Sequence, residues 1–148
     1  MGGIFQNPVL IAGIIAASLA QIVKVPLEYM RSREWDWTLL FSTGGMPSSH
    51  SALVVSVALG TGLFSGFDSP LFAVAFALAM VVTYDAAGVR RQAGFHAQKI
   101  NLIFNELLNG QPVPEEQLKE VLGHSPWEVM GGTLLGMITA LAVWLLWK

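Results

Sequence analysis

The sequence predicts an all-α protein, an integral membrane helix bundle of about four transmembrane helices with one interfacial amphipathic helix. Two observations predict it. Four long stretches of the chain are almost wholly apolar, and only 12% of the 148 residues are charged, about half the share usual in soluble domains. Mean hydropathy is +0.57. A soluble domain can bury one helix that is apolar all round, but hardly four.

The same composition excludes several classes. A formal net charge of −2 offers no basic field for nucleic acid. Cysteine is absent, so disulfide scaffolds, thiol catalysis and cysteine-ligated metals fall away together. Residues 1–148 read as a single transmembrane domain.

A spanning helix needs about 20 mostly apolar residues. The first stretch runs from Pro8 to Val25, uncharged until Lys24. Ser18-Leu19-Ala20 resembles a signal-peptide cleavage site, but Met1–Asn7 carries no cation, so a retained helix is expected. The second stretch, Pro47 to Gly66, has no Asp, Glu, Lys or Arg. The third, Pro70 to Tyr84, reaches full length if Ala86–Val89 continue it past Asp85. The fourth runs from Val129 to Trp147, with His124 expected to open its helix. Between the last two, Gln92–Leu108 has mixed three- and four-residue apolar spacing, which suits an amphipathic helix at the interface. Asn109-Gly110 stops it, and Pro114 opens a second short helix through Val121.

Four crossings gather Lys24, Arg31, His50, Arg90, Arg91, His124 and Glu128 at one membrane face. Seven of the eight Lys and Arg residues fall on that side, and only Lys148 on the other. The positive-inside rule would make that face cytoplasmic, and the expected location is the plasma membrane. Four of the seven are candidates for chemistry, however, which leaves Arg33, Lys99 and Lys119 to carry the rule. Trp35, Trp37 and Trp127 on one side, with Trp144 and Trp147 on the other, fit interfacial belts.

Three clusters supply chemistry. Lys24 and Arg31 are separated by six residues. Gly44-Gly45-Met46-Pro47-Ser48-Ser49-His50 precedes the second stretch. His124-Ser125-Pro126-Trp127-Glu128 precedes the fourth, followed by Gly132-x3-Gly136. Together they resemble the type 2 phosphatidic acid phosphatase (PAP2) superfamily, which includes vanadium haloperoxidases. The pattern there is Lys-x6-Arg-Pro, then Pro-Ser-Gly-His, then Ser-Arg-x5-His-x3-Asp. The resemblance is strongest to the divergent, short membrane branch with the small bacterial YuiD-type proteins, and spans nearly the whole chain.

Each cluster also has a physical reading. Pro47 suits a first helical position, so the N–H groups of Ser48, Ser49 and their neighbours would form an anion site at a helix N-terminus. His50 could protonate a leaving group. Lys24 and Arg31 could supply point and forked charge to phosphate oxygens. His124 and Glu128, four apart, would share one helix face, the carboxylate holding the ring N–H and leaving the other nitrogen nucleophilic. Gly132-x3-Gly136 reads as close helix packing.

The chain departs from the pattern at four positions. Arg31 is followed by Ser32 in place of proline, and Ser49 replaces glycine. Glu128 replaces aspartate, and Leu118 stands where an arginine is required. Arg90, or Arg91, could supply the missing cation, oriented by Asp85. His96, six residues after Arg90, lacks a following acid, since Ile100 stands there, and reads as a polar-face residue.

The expectation is a metal-independent, cofactor-free lipid phosphate hydrolase (phosphomonoesterase or diphosphatase). His124 would attack phosphorus, with His50 and Glu128 as the other catalytic groups. Lys24, Arg31, Ser48, Ser49, Arg90 and Arg91 would bind phosphate, with Asp85 in support. Its partners would be the bilayer and a phosphorylated lipid or polyprenyl diphosphate, and a homodimer would complete so small a bundle. The alternative is a non-catalytic membrane module that binds or moves a phospholipid or anion with a degenerate site.

Overall fold

The structure is a computed structural model describing residues 3–41, 44–107 and 124–147, with the backbone alone at 89–91, 93, 95 and 104–107. Among the described residues five α-helices form: α1 (Pro8–Ser32), α2 (Ser49–Ser65), α3 (Pro70–Ala87), α4 (Val89–Leu107) and α5 (Pro126–Leu146). No strand is present among the described residues.

Local chemistry sets the ends. The Asn7 side chain accepts from the N–H groups of Val9 and Leu10 and starts α1, with Pro8 at the first helical position. Ser69 caps α3 in the same way, again followed by proline. Gly88 separates α3 from α4, so the amphipathic helix starts three residues earlier than its apolar pattern. The predicted helix Pro114–Val121 lies outside the described residues.

Helices α1, α3 and α5 are long and apolar enough to cross a membrane. At 1.5 Å per residue they are about 37, 27 and 31 Å long, against about 30 Å of bilayer hydrocarbon. α2 has 17 residues, about 25 Å. It is shorter than the predicted stretch because Ser48 caps it, leaving Pro47 outside the helix. Its length matters less than that of the others, because α2 packs against α1, α3 and α5 together.

Small residues hold the bundle. Lipid gives apolar helices no hydrophobic reason to associate, so close contact must come from shape. Ala12, Ala16, Ala20, Ala52 and Ala140 are fully buried. A Cβ on Gly132 would overlap the Ser48 carbonyl oxygen, and one on Gly136 would stand 2.5 Å from that of Ala52. These contacts advance together along both helices, so α2 and α5 run parallel. Val9 meets Gly60 while Gly13 meets Leu53 and Val57, so α1 is antiparallel to both. The end of α1 and the starts of α2 and α5 therefore share one face of the bundle.

Candidate functional site

Packing decides where the first cation sits. Ala12, Ala16 and Ala20 form a row four residues apart along one face of α1, and Lys24 is its next member, 1% exposed. The row that seats α1 in the bundle thus delivers an ammonium group to the interior. Seven residues make nearly two turns, so Arg31 returns to the same side near the helix end, exposed to solvent. Lys24, Glu28 and Arg31 line a cleft of about 190 Å³ with Leu39, Gly45 and Glu128. Gly45 has φ +89°, and a Cβ there would lie 3.6 Å from Lys24 Cδ. The glycine loop therefore packs over the lysine stem.

The segment between α1 and α2 folds back along α1. Its turn, Trp37–Phe41, packs on that helix, and the Gln21 amide donates to the Leu40 carbonyl at 2.9 Å. Gln21 lies about 16 Å below the end of α1. Gln21 thereby ties the returning turn to the middle of α1. Tyr29, Trp35 and Trp37 stack in series, with ring centroids 4.4 and 5.7 Å apart.

The starts of α2 and α5 are joined directly. The Ser48 N–H donates to the Glu128 carbonyl at 2.9 Å. The Ser48 hydroxyl accepts from the Ser51 N–H at 3.3 Å and from the Ser51 hydroxyl at 3.0 Å, and both side chains are fully buried. Ser48 thus caps and ties the helix, with its N–H already engaged. Ser49 is half-buried at the first helical position.

His124 does not open α5. Ser125 is the N-cap in a reciprocal capping box with Glu128, and the helix begins at Pro126. The pair four apart forms across the cap instead of along one helix face. Glu128 Oε2 lies 2.9 Å from His124 Nδ1 and also accepts the Ser125 N–H at 3.2 Å. His124 is 4% exposed, and its Nε2 is buried with no hydrogen-bond partner among the described residues. The His50 ring lies 6.5 Å from that of His124, centroid to centroid.

The structure therefore brings Lys24, Arg31, Glu128, His124 and His50 to one end of the bundle. Asp85 is half-buried in the last turn of α3. Arg90 and Arg91 stand in the first turn of α4, their side chains outside the described residues, as is Leu118. His96 is exposed on α4. Sequence reasoning passed over Glu28, one turn from Lys24 on the same face. It also passed over Ser51, whose signal was its place three residues after a helix-capping serine. Gln21, a lone amide within an apolar run, was a third signal.

The family model described as "Divergent PAP2 family" matches residues 5–139. The chain is 41% identical to "Uncharacterized membrane protein YuiD" of Bacillus subtilis (strain 168), over 95% of this chain and 96% of that one. No solved structure matches it.

Proposed function

The chain belongs to the Divergent PAP2 family, and from that premise we propose that it is a membrane-embedded phosphatase of lipid phosphates that works through a phosphohistidine. The observation that carries this reading is His124. One ring nitrogen is held by a carboxylate. The other is buried, without a partner among the described residues, beside a second histidine and next to a cleft holding Lys24 and Arg31.

Glu128 accepts the Nδ1–H, which fixes the tautomer and leaves the Nε2 lone pair to attack phosphorus. The P–N bond forms as the P–O bond to the lipid breaks, and a protonated His50 gives its proton to the departing oxygen. The separation of the two rings leaves room for that oxygen between them. Lys24 and Arg31 neutralise the equatorial oxygens, where charge stabilisation supplies most of the catalysis. Arg90 is the candidate for a third cation. Water then attacks the phosphohistidine, neutral His50 takes its proton, and phosphate leaves. Because this machinery sits at one end of membrane-crossing helices, the substrate is an amphiphile.

The test is phosphate release by the purified protein, without added metal, from phosphatidic acid, phosphatidylglycerophosphate and a polyprenyl diphosphate. Release that His124→Ala abolishes supports the mechanism. No release by the wild type, or full activity in His124→Ala, overturns it. Binding of phosphate or vanadate without turnover would leave the anion site and remove the enzyme.

A further inference from the structure

The segment between α1 and α2 carries an apolar surface that the phosphate chemistry does not use. Trp35, Trp37 and Phe41 are all exposed, Phe41 at 92%. Leu39, on the same turn, lines the cleft with Lys24 and Arg31. One short piece of chain is therefore both a wall of the cleft and an outer surface of the protein.

Its depth follows from α1. About 20 helical residues cross about 30 Å of hydrocarbon. Counted from Pro8 they end at Glu28, the first acidic residue in the chain, so Glu28 marks the boundary on this side. Trp35 stacks on Tyr29, one residue further along, and sits at that level. Trp37 stacks on Trp35 in turn. The Leu40 carbonyl is held by Gln21, seven residues before Glu28 and about 10 Å below it. The segment thus descends from the boundary. Glu34, Trp35 and Asp36 stand near the top, Trp37 comes next, and Leu39, Leu40 and Phe41 lie lowest.

Polarity falls along this descent in the order in which it falls in a bilayer. Carboxylates fit the hydrated head-group layer, indoles the interface, and leucine and phenyl groups the hydrocarbon. A second protein surface would impose no such order. The main chain suits the same setting, where unpaired polar groups are costly. Asp36 Oδ1 accepts both the N–H and the hydroxyl of Thr38, at 2.9 and 2.6 Å. The five residues from Trp37 to Phe41 form a 3-10 turn, which closes hydrogen bonds of its own, and the Gln21 amide donates to the Leu40 carbonyl.

We propose that Trp37–Phe41 is a re-entrant turn inserted into the phospholipid bilayer, with Trp35 and Trp37 at the interface and Phe41 in hydrocarbon. Interfacial elements bury their apolar face about 5–10 Å into the boundary of head groups and acyl chains, which matches the depth of Leu40. The cleft beside Lys24 and Arg31 thereby has one wall in contact with lipid. This holds whatever the cleft binds.

The chain has no cysteine, so one can be introduced by itself. Full-length Glu34→Cys, Trp37→Cys and Phe41→Cys proteins are labelled with a nitroxide in phosphatidylcholine nanodiscs. Ile14→Cys, at an exposed position of α1, is the hydrocarbon reference. Collisions of each label with oxygen, which concentrates in hydrocarbon, are compared with collisions with a water-soluble nickel chelate. The ratio of oxygen to nickel collisions should rise several-fold from position 34 to position 41, with 37 between them and 41 approaching Ile14. A label at 41 as open to nickel as one at 34 would place the turn in water and overturn the proposal. Shielding of 41 from both reagents would place a second copy or another protein on this surface, and would overturn it equally. A second measurement needs no label. The emission added by Phe41→Trp should be quenched by phosphatidylcholine brominated in its acyl chains and spared by aqueous iodide, and the reverse pattern refutes insertion.

Discussion

Replacing Gly132 with alanine tests the contact that sets the spacing of α2 and α5. The added Cβ would overlap the Ser48 carbonyl oxygen and stand 3.1 Å from both the Ser48 carbonyl carbon and Ser51 Cβ. Two of these neighbours are backbone atoms, which cannot rotate away, so the helices must separate. Overpacking of this kind costs about 1–3 kcal/mol. Separation also weakens the Ser48–Glu128 hydrogen bond, which contributes about 0.5–1.5 kcal/mol. Alanine returns up to about 1 kcal/mol through its higher helix propensity. The net expectation is a loss of roughly 1–3 kcal/mol. Gly44 is the control, because a Cβ there meets nothing within 4 Å. Gly44→Ala should change stability by less than about 0.5 kcal/mol. The assay is reversible unfolding of the two variants in mixed detergent micelles, followed by circular dichroism. A Gly132→Ala protein as stable as the wild type would refute the close approach of α2 and α5, since its propensity gain would then be unopposed.

Two further substitutions separate chemistry from scaffold. Glu128→Gln retains an oxygen for the Ser125 N–H but no longer holds the His124 tautomer with a charge. The turnover rate should fall by about 10²–10⁴ while unfolding free energy stays within about 1 kcal/mol of wild type, measured by phosphate release and detergent unfolding on the same preparation. Arg31→Gln removes an exposed forked cation, so stability should hold within about 0.5 kcal/mol. The substrate KM and the vanadate inhibition constant should each rise about 10–100-fold, and an unchanged inhibition constant would remove Arg31 from the anion site.

The helices were legible because length and apolarity act through the bilayer and need little tertiary detail. The pairing of Lys24 with Arg31 was legible because seven residues nearly complete two turns. The His124–Glu128 contact was anticipated for an incomplete reason. The spacing is right, but Ser125 captures the cap position and the helix begins after it. The burial of Ser48 was not legible, because its N–H partner is a backbone carbonyl 80 positions away in the numbering, and every residue has a carbonyl. The return of the Trp37–Phe41 turn along α1 was hidden for a similar reason: Gln21 binds main chain, which leaves no pattern in the partner's residue type. Glu28 was visible in the helical spacing and was masked by the cations on either side.

The Ser48–Glu128 bond places unusual limits on how this protein can vary. It links the beginnings of the two helices that present His50 and His124, and it uses main-chain atoms only. Neither the Ser48 hydroxyl nor the Glu128 carboxylate takes part in it. Proline at 48 alone would delete the donor. The distance between the two histidines is thus referenced to a main-chain bond whose length depends on one neighbour in particular, Gly132, where a Cβ would overlap the Ser48 carbonyl oxygen.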